Sequence, residues 1–511
     1  MYKYRCIYNG YTRLLYRNTK IRKCFEMIPV VLPAQAAQLD KYMIEKKRIA
    51  GLLLMEQAAD EVARAAIGLN PSGPILVVCG KGNNGGDGLA AARILKTRGY
   101  TVKVGVTSPD YRGDAAVNFE FFAWENSYTV LDSQNIDDFF NCNADVIIDA
   151  VFGTGLSREP EGLYADIIDH INAHRAKVVS VDIPSGVFGS TGFCNSAVFA
   201  DITVTFQYPK VGHFIFPGFE HTGKLIVKKI GVDDGSMEFK TYHVDELSLP
   251  KRARNTNKGN YGKLTIVAGS KNYSGAAVLC SRAALRAGAG LVTCACDAVT
   301  AQALKASLPE AMTIACGEDF IQDVRALEDL ISDHPFALGP GIATSQPTAN
   351  VVSTLIKLKN PKVVDADALN ILSSSLDMLE GSNCIITPHP KEFSRLTGLS
   401  VPQILSDPLH HAKEFARKMG IVVLLKGSSS VITDGNISYI VTAGAPSMAK
   451  GGSGDVLTGV AGGLLAQKYS LIDAAYTAAY LCGKAGEAAN KKWGDFAPLA
   501  SDTINCLHIT E

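Results

Sequence analysis

The stretch best equipped for chemistry is Ala443-Gly-Ala-Pro-Ser-Met-Ala-Lys450-Gly-Gly-Ser-Gly-Asp455-Val-Leu-Thr-Gly459. It follows an apolar, strand-like run, Ser438–Thr442, and leads into Val456–Ala466, which reads as a buried helix rich in small residues. Free backbone N–H groups at a helix start, aided by the helix dipole, make an anion site. Gly451, Gly452 and Gly454 allow close backbone approach to a ligand and positive φ. Lys450 adds a cation at the edge. Asp455 sits at the helix start, where a carboxylate is stabilised and can act as a general base. Taken alone, the stretch also reads as a glycine-rich turn with Asp455 as a helix cap.

A second candidate lies in the first half, Gly80-Lys-Gly-Asn-Asn-Gly-Gly-Asp-Gly88. Asn83, Asn84 and Asp87 offer side-chain oxygens beside backbone N–H groups, which suits a polar ligand or a hard cation. Two more acids stand at the ends of apolar runs. Asp145–Phe152 carries Asp149 and opens into Gly153-Thr-Gly-Leu-Ser-Arg-Glu159; Lys177–Asp182 opens into Ile183-Pro-Ser-Gly186. An aspartate at a strand end is usually a loop cap. Three polar loops meeting at one sheet crest would be a site.

The elements around these residues repeat one logic. Ala34–Ile67 reads as helix, Pro74–Cys79 as a buried strand, Leu89–Thr97 as helix and Tyr100–Val106 as strand. Such a βαβ unit predicts a mostly parallel sheet with its ligand at the carboxyl ends of the strands. Residues 242–260 are polar and place a domain boundary near 240–250. The pattern then restarts with the strand Lys263–Ala268, the loop Gly269–Gly275 and an alanine-rich helix, so a second α/β domain is expected. Its later strands lead into Gly339-Pro-Gly341, Ala366–Asn370, Thr387–Glu392 and Lys426-Gly-Ser-Ser-Ser430. A lysine with three hydroxyls suits a polyphosphate, although a solvated turn has the same composition. His389 is bracketed by prolines that fix its backbone. Asp365 and Asp367 read either as a metal pair or as caps.

Composition narrows the classes. A chain of 511 residues calls for two domains, and 47% hydrophobic residues can fill two cores. Lys+Arg and Asp+Glu both number 50, leaving no net field to draw nucleic acid or anionic lipid. No apolar run is long enough for a membrane helix, and the 12 cysteines include no C-x-x-C pair. Reduced thiols and a cytoplasmic location are expected. Residues 1–26 form a basic extension read as lying outside the fold.

With these residues in view, the chain resembles a known family in both halves. Asn83-Asn-Gly-Gly-Asp87, Asp149-Ala-Val-Phe-Gly-Thr-Gly155, Val181-Asp-Ile-Pro-Ser-Gly186, Tyr208-Pro-Lys-Val-Gly-His213 and Pro217-Gly218 resemble the signatures of NAD(P)H-hydrate epimerase domains. Lys258-Gly-Asn-Tyr-Gly262, Ser274-Gly-Ala-Ala277, Gly339-Pro-Gly341, Val364–Asn370, Thr387-Pro-His-Pro390 and the Gly-Gly-Ser-Gly-Asp455 stretch resemble ADP-dependent NAD(P)H-hydrate dehydratase domains. The implied fold is α/β: an N-terminal Rossmann-like three-layer domain over 27–240, then a ribokinase-like domain over 241–511. The implied function is repair of hydrated nicotinamide cofactors, NADHX and NADPHX, by epimerisation and then dehydration coupled to ADP.

The resemblance also implies roles. In the first domain, Asn83, Asn84, Gly85, Gly86, Asp87, Gly153, Thr154, Gly155, Leu156, Ser157, Arg158, Glu159 and Asp182 would contact the hydrate. Asn84, Asp149 and Ser185 would hold a potassium ion, and Asp182 would carry the proton. In the second, Ala277, Gly341, His389 and Asp455 would contact the hydrate. Lys426, Gly427, Ser428, Ser429, Ser430 and the stretch from Ala443 to Gly454 would hold ADP with magnesium. Asp455 would be the base. A homo-oligomer is expected. Two positions depart from the family pattern: Ile342-Ala343 replaces the usual Leu-Gly, and Lys391 stands where Gly is common. Two other readings compete, a small-alcohol kinase carrying a binding module and a non-catalytic nucleotide-binding protein.

Overall fold

The computed structural model describes residues 25–507 except 234, 236 and 248, so most of the basic extension lies outside the described residues. The chain divides into two compact units, 29–239 and 240–507, the second also taking in residues 25–28.

In the first unit, Ile75-Leu-Val-Val-Cys79 and Val146-Ile-Ile-Asp-Ala150 are buried along their whole length, as a strand covered on both faces must be. Seven parallel strands lie in the order Thr129–Val130, Val102–Val106, Ile75–Cys79, Val146–Ala150, Lys177–Val181, Ile202–Phe206, Lys224–Lys228. The chain starts in the middle, steps outward one way, then returns and steps outward the other way. The order therefore reverses between Ile75–Cys79 and Val146–Ala150, and a crevice opens there at the carboxyl ends of the strands. Separate apolar clusters fill the two faces, one under the helices Gly51–Ile67, Asn83–Thr97 and Gly113–Glu125, the other under Ile136–Phe140 and Leu163–Ala173. This is a three-layer, Rossmann-like sandwich.

Boundaries differ from expectation at informative places. The long first helix is two, Pro33–Glu45 and Gly51–Ile67, parted where Arg48 takes φ +60°. The glycine-rich segment after Cys79 is not all loop: the helix begins at Asn83, so Asn83–Asp87 form its first turn. A Cβ on Gly85 would lie 1.7 Å from the Gly80 carbonyl oxygen. The glycines thus let the helix start pack on the strand end, as well as leaving N–H groups free.

The second unit has an eleven-stranded sheet among the described residues. Seven parallel strands, Val422–Leu425, Cys384–Ile386, Lys362–Val364, Phe336–Leu338, Lys263–Val267, Leu291–Cys296 and Met312–Ala315, form one flank. Ser430–Thr433 and Ser438–Val441 extend it antiparallel, followed by Thr241–Leu247 and, at the edge, Phe25–Pro29. Residues 25–28 therefore correct the expected boundary. They join this sheet rather than an unstructured extension or the first domain, and Met27 packs against its apolar core.

The helix Ser453–Ala466 packs on the helix Ser274–Arg286 at backbone distance. A Cβ on Gly459 would sit 2.2 Å from the Cys280 carbonyl oxygen. Gly459→Ala is expected to destabilise the protein by about 1–3 kcal/mol through overpacking. Gly451→Ala, whose added Cβ meets nothing within 4 Å, should change stability by less than about 0.5 kcal/mol. Urea unfolding of the two variants checks the difference.

Candidate functional site

At the crest of the first unit, a cavity of about 650 Å³ is lined by two of the polar loops and by Asp182, which precedes the third. Asn83, Asn84, Asp87, residues 153–158 and Asp182 reach it. Gly85 and Gly86 are buried in the helix start and do not line it. Glu159 turns aside, its carboxylate accepting from the Asn195 N–H at 3.4 Å.

Asp149 lies within its strand, not at the end, and is fully buried. Its oxygens accept from the Ser185 hydroxyl at 2.5 Å, the Ser180 hydroxyl at 2.8 Å and the Ser185 N–H at 2.9 Å. Burial pushes its carboxyl up, and these donors oppose the shift. Asn84 is buried, with no hydrogen-bond partner for its Nδ2. The Asp149 carboxylate, the Ser185 hydroxyl and the Oδ1 of Asn84 are oxygen donors of the kind a monovalent cation takes, whereas the unmatched Asn84 Nδ2 is an N–H donor and would not be a ligand.

Asp182 follows its strand in the left-handed conformation, φ +65°. Its carboxylate accepts from the Thr205 hydroxyl at 2.9 Å and is ion-paired with the buried Lys210. Burial raises its pKa, but Lys210 and Thr205 outweigh burial and hold it below the usual range. His213 donates from Nε2 to the Asp182 carbonyl at 2.9 Å and accepts at Nδ1 from the Lys210 N–H at 3.0 Å. Asp40 and Asp87 face the same cavity. Their carboxyls are pushed up, first by burial and then by neighbouring acids including Asp182. Lys210, Thr205, His213 and Asp40 were not expected as site residues. The only signal was the segment Tyr208–His213, whose lysine had no assigned role.

In the second unit, the helix carrying Asp455 begins at Ser453, preceded by Gly452 at φ +95°, a conformation that favours glycine. Asp455 thus lies in the first turn. Lys426 donates to Asp365 at 3.0 Å and stands 3.8 Å from Glu392. The second Asp365 oxygen accepts from the Thr458 hydroxyl at 2.7 Å. A Cβ on Gly454 would lie 3.5 Å from the Lys426 Nζ and 3.6 Å from that Asp365 oxygen, so the ion pair meets the helix start. Asp365 does not cap its helix with its side chain; it anchors Lys426 instead. Asp367 accepts from the Ala343 N–H at 2.9 Å. Burial pushes Asp455 up to about 6, helped by the Asp365 carboxylate and opposed by Lys426.

His389 caps its own helix, its Nδ1 accepting from the N–H groups of Lys391 at 3.1 Å and Glu392 at 3.2 Å. Gly341, at φ +63°, packs against Tyr273 and Ala276. Ala277 is wholly buried. In the Lys426 loop, Ser429 is buried with no partner for its hydroxyl, while Gly427 and Ser428 are exposed. Lys450 does not offer a free cation: its ammonium donates to the carbonyls of Phe496 and Pro498.

Residues 264–506 match the family described as NAD(P)H-hydrate dehydratase, and residues 51–212 match the YjeF-related protein N-terminus. The bifunctional NAD(P)H-hydrate repair enzyme Nnr of Moorella thermoacetica is 37% identical over 94% of this chain and 96% of its own length. The chain belongs to the bifunctional NAD(P)H-hydrate repair enzymes. Two further repair enzymes of this name agree: that of Thermofilum pendens is 38% identical over 92% of this chain and 93% of its own, and that of Escherichia coli 35% over 91% and 90%. An ADP/ATP-dependent NAD(P)H-hydrate dehydratase structure from Bacillus subtilis, co-crystallized with ATP/Mg2+, is 27% identical and covers 51% of this chain and 92% of that one. Its TM-score is 0.43, and the fold rests on the strand order instead.

Two outcomes test this geometry. Ala343 takes φ +62°, in the left-handed region that favours glycine. Left-handed alanine costs about 1–2 kcal/mol, and the extra freedom of glycine in the unfolded chain offsets about 0.4–1 kcal/mol. Ala343→Gly should therefore raise the urea midpoint, with an unchanged m value. Difference proton titration of wild type against Asp455→Asn should show one group near pH 6. Asp365→Asn removes a neighbouring negative charge and should move that group to lower pH.

Proposed function

We propose that this chain repairs hydrated nicotinamide cofactors in two steps. The first domain interconverts the R and S epimers of NADHX and NADPHX. The second dehydrates the S epimer, converting ADP to AMP and phosphate.

Asp455 carries this reading. It is a carboxylate in the first turn of an anion-binding helix start, with its pKa near 6 and a partly buried lysine nearby. It takes the proton from the hydroxyl of the hydrate, and the freed oxygen attacks the terminal phosphoryl group. Lys426 and the N–H groups of the helix start stabilise charge on that group as it transfers. The phosphate ester then leaves by elimination, restoring the dihydronicotinamide. Because Asp455 must be ionised to act, the dehydration rate should fall as the pH drops through about 6.

Asn84, Asp149 and Ser185 would hold potassium, which would neutralise the buried carboxylate and order the loops at the crest. Among the described residues no group of three His, Cys, Asp or Glu could hold a metal ion. Magnesium would arrive with the nucleotide phosphates, since this ion keeps several waters and takes few protein ligands. No helix among the described residues is long and apolar enough to cross a membrane.

Absorbance at 340 nm, with mixed NADPHX epimers, ADP, magnesium and potassium, tests both steps. The wild type should recover all the NADPH. Asp455→Asn should recover none, and Asp182→Asn should stop at the R epimer once spontaneous epimerisation is subtracted. No recovery by the wild type with ADP or ATP, together with a stable phosphorylated product from a small alcohol, would favour the kinase reading.

A further inference from the structure

We propose that Lys210 is the second proton carrier of the epimerase site, acting as a pair with Asp182. This rests on the epimerase reading above and adds a residue that the reading does not include.

Four observations place Lys210 in this role. It lines the cavity, although its side chain is only 4% exposed. Its ammonium donates to Asp182 and, at 2.9 Å, to Thr205. An ammonium has three N–H groups, so one is left for a ligand in the cavity. His213 clips both residues at the backbone, accepting from the Lys210 N–H and donating to the Asp182 carbonyl. Both bonds are made by the neutral ring, which burial and the Lys210 charge preserve by pushing its pKa down to about 4. A structural ion pair needs neither an opening to a cavity nor a left-handed Asp182. Strain of that kind persists where the surroundings enforce it, and it gathers at functional sites. Asp40 and Asp87, the acids facing the same space, are held toward the neutral form, so Asp182 is the ionised partner.

The chemistry needs two carriers. The hydrated carbon bears a hydroxyl and is bonded to the ring nitrogen. Asp182 takes the hydroxyl proton, and the O–H electron pair becomes the second bond of a carbonyl. The C–N bond breaks with its pair on nitrogen, and Lys210 gives that nitrogen a proton. Rotation about the adjoining C–C bond presents the other carbonyl face, and closure runs both transfers backward. Protons and electrons balance with no other reagent.

Full-length protein is assayed for conversion of the R epimer, with dehydration of purified S epimer by the same sample as a control for intact protein. Lys210→Ala should lower the epimerisation kcat by about 10²–10⁴-fold with KM little changed. Small primary amines should restore the rate, with a dependence on amine pKa. Lys210→Arg keeps the positive charge and the ion pair but cannot give up its proton at working pH, so it should fold and remain slow. Near wild-type epimerisation by Lys210→Arg, or a loss in Lys210→Ala that no amine restores, would assign Lys210 a structural role and overturn the inference. If the wild type does not epimerise at all, the epimerase reading itself falls.

Discussion

Backbone meeting backbone at a glycine of the helix that bears the site is the contact on which both halves of this protein depend. In the first unit, Gly85 comes so near the Gly80 carbonyl that a single methyl group would overlap it. In the second, Gly459 in mid-helix meets the Cys280 carbonyl of a neighbouring helix. The absence of side chains draws the first helix onto its strand end and the second onto the helix Ser274–Arg286. The sites follow from this. Asn83 and Asn84 stand at one helix start, Gly454 and Asp455 at the other. Loops from neighbouring strand ends then supply charge around a partly positive helix terminus.

The electrostatics of the two sites share a plan. Each has one lysine among several acids, Lys210 with Asp182, Asp40 and Asp87, and Lys426 with Asp365, Glu392 and Asp455. The lysine pairs with one carboxylate, and that carboxylate raises the proton affinity of Asp40 and Asp87 in the first site and of Asp455 in the second. Similar side chains are thereby driven to different protonation states, which lets acid and base roles coexist in a small space. The lysines differ in what holds them. Lys210 leans on Thr205, whereas the partner of Lys426 is fixed by Thr458 on the helix that carries Asp455.

Much of this was legible from sequence because it is local. Apolar runs marked the strands, and the glycine-rich segments after them marked the two helix starts. The three loops of the first crest were readable as a group, since parallel sheets put strand ends on one side. What could not be read depends on strand order. Asp182 and Lys210 are 28 residues apart, Asp365 and Lys426 are 61 apart, and nothing along the chain says that they touch. Lys450 misled for the complementary reason: it is adjacent in sequence to the glycine loop, yet its ammonium is committed to carbonyls more than 40 residues away. The glycines were assigned to ligand approach and positive φ, because close packing between elements leaves no trace in a single sequence.

The strand Phe25–Pro29 carries a different consequence. It neighbours Thr241–Leu247 in the sheet of the second unit, and the whole first unit lies between them in the chain. In topological terms the first unit is an insertion into the second, not a domain placed before it. During synthesis the edge strand emerges early and has no partner until some two hundred residues have followed, so its pairing is a late, long-range event. Once made, that pairing covers the flank of Thr241–Leu247, which would otherwise present unpaired backbone groups to any passing strand. The strand Phe25–Pro29 thus completes the sheet of the unit that follows the first in the chain.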